Sequence, residues 1–517
     1  QLGIEVYEAS PTVINTSFAN VVTVCYSRVY DTVNSAPVLG GITFSGTGIA
    51  GIYVPPWQTL SGVKTWNNPG GLAYYTHGAL SLASDASWTI EAGTTIKGAD
   101  TLFLIYGTLR VMGTAGQPVT FASRNASPAA GDWKGIYLGT AAGASEFRYA
   151  VVSCAGQAPL GYFRGGDRYS ALFVDACNPT FDHLTLDRIS YNGMECYAAS
   201  PAISHSTFRS CGSSALVAQA GSRPTIANST FEANGTRQAY TVWTDATSVP
   251  TPTNNIFLSN IMQGVQVTGG TISANAEWRR WAPNAPYVLT GNTTVGSDIA
   301  LTIEPGAVVK FQNSGLYING VLVADGSHTP ISFTSWRDDS AGGDSNGDAA
   351  ASAPVAGDWK GLYISPNSGD SVLDGCCFRY AGDLLGYFRG GDRYATVFVD
   401  SCSPPVRNCQ FLDSANNALE LYSSHAVVLN NHFNNLGVNS HAIIYDTEDT
   451  FATLAGNTYS GSGRMGVALW GGVIRSNRTW DTPGPNFPYL IYGNMTVDTG
   501  VALTIPPSTI LKFWNTG

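Results

Sequence analysis

The sequence predicts an all-β chain folded as a right-handed parallel β-helix, a solenoid of tandem ~200–225-residue modules made from ~22-residue coils. Three observations predict it. The decapeptide LGYFRGGDRY runs from Leu160 to Tyr169 and returns letter for letter from Leu385 to Tyr394. A shorter period lies inside that long one. The text is rich in short β-prone runs punctuated by Gly, Asn and Ser, with no sustained helical periodicity.

The long period extends well past the decapeptide. GDWKGIY at Gly131 returns as GDWKGLY at Gly357, and FVDAC at Phe173 returns as FVDSC at Phe398. LTIEPGAVVKF at Leu301 has relatives at Trp88 and Leu503. The short period appears in PTFDHLTL, PAISHSTF, PTIANSTF, PPVRNCQF and AVVLNNHF, which pair Phe181/Leu186, Ile203/Phe208, Ile226/Phe231, Val406/Phe411 and Val428/Phe433. Each such coil leaves an apolar face that only the next coil can cover, so stacking creates one continuous core. Between the two apolar positions stand His183, His205, Asn228, Asn408 and Asn430. That column is expected to face inward as a hydrogen-bonded ladder, with imidazoles occupying two of its places.

Trp66, Trp281 and Trp480, each followed by Pro- and Gly-rich text, mark the expected module boundaries. They give the C-terminal part of a module (1–66), a complete module (67–281), a second complete module with an acidic loop (282–480) and the start of another (481–517). Gln1 and Gly517 both fall inside recognisable coils, and bare coil ends expose strand edges. The expected partners are therefore further repeats or other copies of the chain, stacked end to end.

Charged residues are 12% of the 517, and the net charge is −10. This balance excludes a nucleic-acid partner, which needs basic stripes. No apolar run reaches the ~18 residues of a membrane helix. Nine cysteines occur without a CxxC pair. Cys154/Cys177 and Cys377/Cys402 lie about one coil apart, which allows either a disulfide or stacked buried thiols.

Four features carry candidate chemistry. In the repeated YFRGGDRY, residues Tyr162, Arg164, Asp167 and Arg168, with Tyr387, Arg389, Asp392 and Arg393, form either a ligand or partner contact or a structural turn held by Arg–Asp pairs. The loop WRDDSAGGDSNGDAAASAP (336–354) carries Asp344, Asn346 and Asp348 in a D-x-N-x-D pattern, with Asp338 and Asp339 upstream. That spacing lets oxygen ligands converge on a hard cation such as Ca2+, although the Glu of an EF-hand is missing. Trp133 and Trp359 in GDWKG serve either as sugar platforms or as turn covers. Of seven N-x-S/T sequons, Asn125, Asn234, Asn292, Asn477 and Asn494 are expected to be available for glycosylation. Asn15 and Asn228, placed in the inward column, are expected to be poor acceptors.

The blocks LTIEPGAVVKF, LYINGVLVADG and PISFTS, followed by the Asp-rich loop and GDWKGLYI, resemble the right-handed parallel β-helix repeats of large secreted and cell-surface proteins of adhesin or fibre type. The resemblance implies an extracellular or cell-surface location and a structural or adhesive role, as a segment of a β-helical fibre, stalk or filament. The same fold hosts pectate lyases and polygalacturonases. The N-T-D, G-H-G and R-I-K motifs of polygalacturonase-like enzymes do not occur in this sequence, so no catalytic residue carries over. The alternative function is a polysaccharide-binding or polysaccharide-degrading β-helix that engages surface glycans. No organic cofactor is implied.

Overall fold

The computed structural model describes residues 4–514 apart from 7–8, 22–25, 31–34, 36–37, 47–48 and 69. Gln1 and Gly517, the two ends read as cut coils, lie outside the described residues. Two compact units emerge. One comprises residues 1–244 and 248–262, the other 245–247 and 263–517.

Each unit is a parallel β-helix with three sheets, and its registers follow the apolar columns of the sequence. In the first unit one ladder aligns Phe103, Ile136, Leu172, Met194, Leu216 and Val242. A second aligns Phe121, Val152, Leu186, Phe208, Phe231 and Phe257. A third aligns Ile90, Val111, Phe147, Phe181, Ile203 and Ile226. The second unit repeats the scheme, with Phe333, Phe378, Phe411 and Phe433 in one column. Their rings stack face to face at 5.0–5.1 Å, near the rise from one coil to the next. All four are fully buried, each contributing on the order of 2 kcal/mol through apolar burial.

The turn between the paired apolar strands decides what faces inward. His183, His205, Asn228, Asn408 and Asn430 all have positive φ, between 48° and 57°. Asn is among the few side chains that tolerate this left-handed geometry. Their side chains lie at the surface instead of in the core. The inward ladder is the next column along. Ser206, Ser229 and Asn255 occupy it in the first unit, Asn431 and Asn457 in the second. The Ser206 amide donates to Ser229 Oγ at 3.1 Å, and the Ser229 amide to Asn255 Oδ1 at 3.0 Å. Asn431 donates from its own amide nitrogens to Asn457 Oδ1 and Val406 O. The expected ladder is thus displaced by one residue, because the φ requirement claims the column that sequence spacing had singled out. Asn15 (φ 48°) and Asn228 are correspondingly exposed.

The boundary tryptophans need a similar shift. Trp66 stacks on Tyr74 and Trp480 on Tyr489, and each tyrosine hydroxyl donates to the carbonyl just after its tryptophan. In the intervening copy Trp278, not Trp281, holds this place: it stacks on Tyr287, whose hydroxyl donates to Arg279 O. Trp281 is a separate buried residue. The eight cysteines among the described residues are free thiols, seven of them buried. The Cys154/Cys177 and Cys377/Cys402 pairs therefore stand as thiols, packed like small apolar groups.

Candidate functional site

The two YFRGGDRY copies are β-hairpins. Gly161–Phe163 pairs antiparallel with Gly166–Arg168, and Gly386–Phe388 with Gly391–Arg393. Both central turn residues have positive φ (Arg164 51°, Gly165 79°; Arg389 52°, Gly390 83°), the tight turn that suits hairpin twist. Phe163 stacks on Tyr137 and Phe388 on Tyr363, each at 4.2 Å.

Two arginines clamp each hairpin to the sheet beneath it. Arg164 Nε reaches Asp175 Oδ1 at 2.7 Å, and Arg389 Nε reaches Asp400 Oδ1 at 2.8 Å. Tyr137 and Tyr363 donate to the second oxygens of the same carboxylates. Arg168 pairs with Glu195 at 2.8 Å, and Arg393 pairs with Glu420. Asp175, Asp400, Glu195 and Glu420 are buried. Removing an arginine would strand a carboxylate in a dry setting, which is strongly destabilising. The outward face carries Tyr162, Tyr387, Asp167 and Asp392, with both tyrosines 71% exposed. So Arg164, Arg168, Arg389 and Arg393 point at the protein, while the tyrosines and aspartates face solvent. The carboxylate partners were missed in the sequence. A signal existed: FVDAC/FVDSC carries the Asp, and each Glu follows its Arg by 27 residues.

The modules diverge beside their hairpins. In the first unit Glu195 also accepts from Gln219 Nε2 at 2.8 Å. In the second, the register places Asp446 where Gln219 stands, 2.7 Å from Arg393 Nη1. Burial, with Asp446 adding to it against the opposing pull of Arg393, pushes the Glu420 carboxyl up to about 7. Burial likewise raises Glu195. The first unit has an open groove of about 390 Å³ lined by Arg168, Tyr169, Asn192, Glu195, Gln219 and Trp243. Ala468 takes the place of Trp243 in the second unit.

The acidic loop splits the predicted cation ligands into two groups. Asp339, Asp344 and Asp348 converge, with one carboxylate oxygen from each lying within 4.8 Å of the others. Asp339 Oδ1 and Asn346 Oδ1 are buried and accept no hydrogen bond. Desolvation and the Asp344 charge raise the Asp339 carboxyl. Asp338 stands apart. It is 2% exposed, pairs with Arg379 at 3.2 Å and accepts from Thr334 Oγ1. Beneath the loop, the fully buried Lys310 donates to Gly343 O at 2.6 Å and Ser345 Oγ at 2.9 Å. Desolvation lowers its ammonium to about 8. Three carboxylates and an unsatisfied amide oxygen make an all-oxygen donor set that fits a hard cation.

Trp133 and Trp359 are buried, and their indole nitrogens donate to Ser153 O and Arg379 O. No face is left for a sugar. Among the sequons, Asn125, Asn292, Asn477 and Asn494 lie at the surface. Asn234 does not: it is fully buried and its amide donates to Phe208 O and Asn260 Oδ1. A second inward ladder has claimed it, and a glycan has no room there.

Three parallel sheets per unit, stacked coil on coil, define a right-handed parallel β-helix protein. Two family models match in sequence: a pectate-lyase-like beta helix domain over residues 65–166 and a right-handed beta helix region over 162–279. No curated protein matches the chain. Among solved structures, it is similar to an alginate lyase from Paenibacillus sp. str. FPU-7, with 11% identity, 73% of this chain and 90% of that one covered, and a TM-score of 0.17. It is also similar to the Agl-KA catalytic domain, with 12% identity, 88% and 63% covered, and a TM-score of 0.19. A third is the catalytic domain of a GH87 alpha-1,3-glucanase in complex with nigerose, with 11% identity, 88% and 63% covered, and a TM-score of 0.14. Similarity at this level carries no argument about activity. No helix among the described residues is long and apolar enough to cross a membrane.

Proposed function

We propose that the chain is a polysaccharide-binding β-helix protein whose site is the groove beside the hairpin of the first unit. The observation that carries the reading is the lining of that groove. Tyr169 and Trp243 offer aromatic surface for sugar rings, and Asn192 and Gln219 offer hydrogen-bonding amides. Among its charged members Arg168 and Glu195 pair with each other, and the exposed carboxylate of Asp167 adds negative charge at the rim. The groove therefore suits a neutral, hydroxyl-rich glycan more than an acidic one. The pectate-lyase-like match over 65–166 favours this reading over the fibre or adhesin reading, which has no comparable support. The acidic corner of Asp339, Asp344, Asn346 and Asp348 fits a structural Ca2+ that would brace the loop in the second unit.

Titration calorimetry against soluble neutral glucans and galactans, with alginate and polygalacturonate beside them, tests the proposal. Binding of a neutral polymer, weakened more than about tenfold by Trp243→Ala, supports it. No binding across the panel, or binding that Trp243→Ala leaves unchanged, overturns it. Release of reducing ends in the same mixtures separates degradation from binding.

A further inference from the structure

A second cluster lies on the turn column of the first unit, where coil stacking brings two histidines and an aspartate together. His183 Nδ1 is 3.0 Å from Asp182 Oδ2, and His205 Nδ1 is 3.0 Å from Asp182 Oδ1. The two imidazoles stack at 4.9 Å, and Tyr149 covers the outer face of His183 at 4.2 Å. Ser204 Oγ donates to Asp182 Oδ1 at 2.8 Å and fixes the carboxylate between the rings. His183 Nδ1 is buried yet makes no hydrogen bond, since its approach to Asp182 is out of line.

The fold does not demand this trio. In the second unit the same column holds Asn408 and Asn430, flanked by Arg407 and Leu429 where the first unit has Asp182 and Ser204. There one amide meets the structural need, with Asn408 Nδ2 donating to Asp374 Oδ1 at 2.7 Å. Two imidazoles facing one carboxylate therefore answer some other requirement. The geometry points to a divalent transition-metal site, of the Zn2+ class, with His183 Nδ1, His205 Nδ1 and Asp182 as its protein ligands. Zn2+ binds imidazole nitrogen and carboxylate oxygen at ~2.0–2.2 Å, so neighbouring ligands of a tetrahedral ion lie about 3.3 Å apart. Each oxygen of the Asp182 carboxylate has one histidine Nδ1 at 3.0 Å, near that edge length, and one ligand atom from each of the three residues lies within 4.8 Å of the others. The side chains are 37–50% exposed, which leaves the remaining coordination position open to water or an external ligand. Borderline-soft imidazole donors distinguish this site from the all-oxygen acidic loop.

The test is Zn2+ titration calorimetry of the full chain in excess Ca2+, which keeps oxygen-donor sites filled. It compares wild type with His205→Asn and His183→Asn. Asn occupies the same left-handed turn at Asn228, so both variants are compatible with the coil. Thermal unfolding without metal checks that they fold. One Zn2+ per chain in wild type, lost or weakened more than about tenfold in both variants, is the expected result. Wild type without a Zn2+ heat, or a folded variant that binds as wild type does, overturns the assignment.

Discussion

Glu420 and His441 lie in the same unit and make opposite contributions to stability as pH changes. Glu420 is 4% exposed, and burial raises its carboxyl from 4.5 to about 7. His441 is 3% exposed, and burial, with Arg464 adding to it, lowers its imidazole from 6.5 to about 4. The folded state holds an extra proton on Glu420 between pH 4.5 and 7, so stability is lost as pH rises through that window. It holds one proton fewer on His441 between pH 4 and 6.5, so stability is lost as pH falls through that window. Each displacement is worth about 3 kcal/mol at ~1.36 kcal/mol per pH unit. The two contributions largely cancel between pH 4.5 and 6.5. Glu420→Gln removes one of them. Its stability relative to wild type is expected to climb by about 3 kcal/mol from pH 4.5 to pH 7 and then level off. The constant offset from the altered Arg393 pairing does not affect that shape. Urea unfolding followed by circular dichroism at a series of pH values gives both curves, and their difference cancels every other titrating group. Parallel curves from pH 4.5 to 7 would refute the reasoning, because Glu420 would then titrate alike in the folded and unfolded chains.

Asn431→Ala deletes a rung of the inward ladder, leaving the Cys409 amide unpaired in a dry core and removing the side-chain bonds to Val406 O and Asn457 Oδ1. It is expected to lower unfolding free energy by about 2–5 kcal/mol, read from the urea midpoint. Ca2+ is expected to raise the melting temperature of the second unit, and Asp344→Asn to abolish that rise. At a hundredfold excess over Kd the gain is about 2.7 kcal/mol, and a calorimetric trace with and without chelator checks it. In the first hairpin, Phe163→Ala removes the stack on Tyr137 and is expected to cost about 2 kcal/mol, with faster proteolysis near Gly165. Tyr162→Ala, at the exposed tip, is expected to stay within about 0.5 kcal/mol of wild type, so any loss of glycan binding there would be a direct contact.

The sequence by itself determined the fold class, because a parallel β-helix writes its core as columns that recur once per coil. Phe181, Ile203 and Ile226 could be aligned from spacing alone, and they are Cα partners in the structure. The duplicated decapeptide likewise marked a repeated element. Tertiary structure alone decided which neighbouring column turns inward. A one-residue choice exchanges His205 for Ser206 at the core, and backbone φ makes that choice, not residue type. The partners of the hairpin arginines were also hidden, because Asp175 meets Arg164 only when the hairpin folds back over the strand that follows it, and Glu195 meets Arg168 only when the next coil stacks. So was the division of the acidic loop, where Arg379, from the next strand of the same sheet, draws Asp338 away from Asp339. The period of a solenoid is local information. Its polar constellations depend on contacts between coils, which spacing can suggest and only stacking can complete.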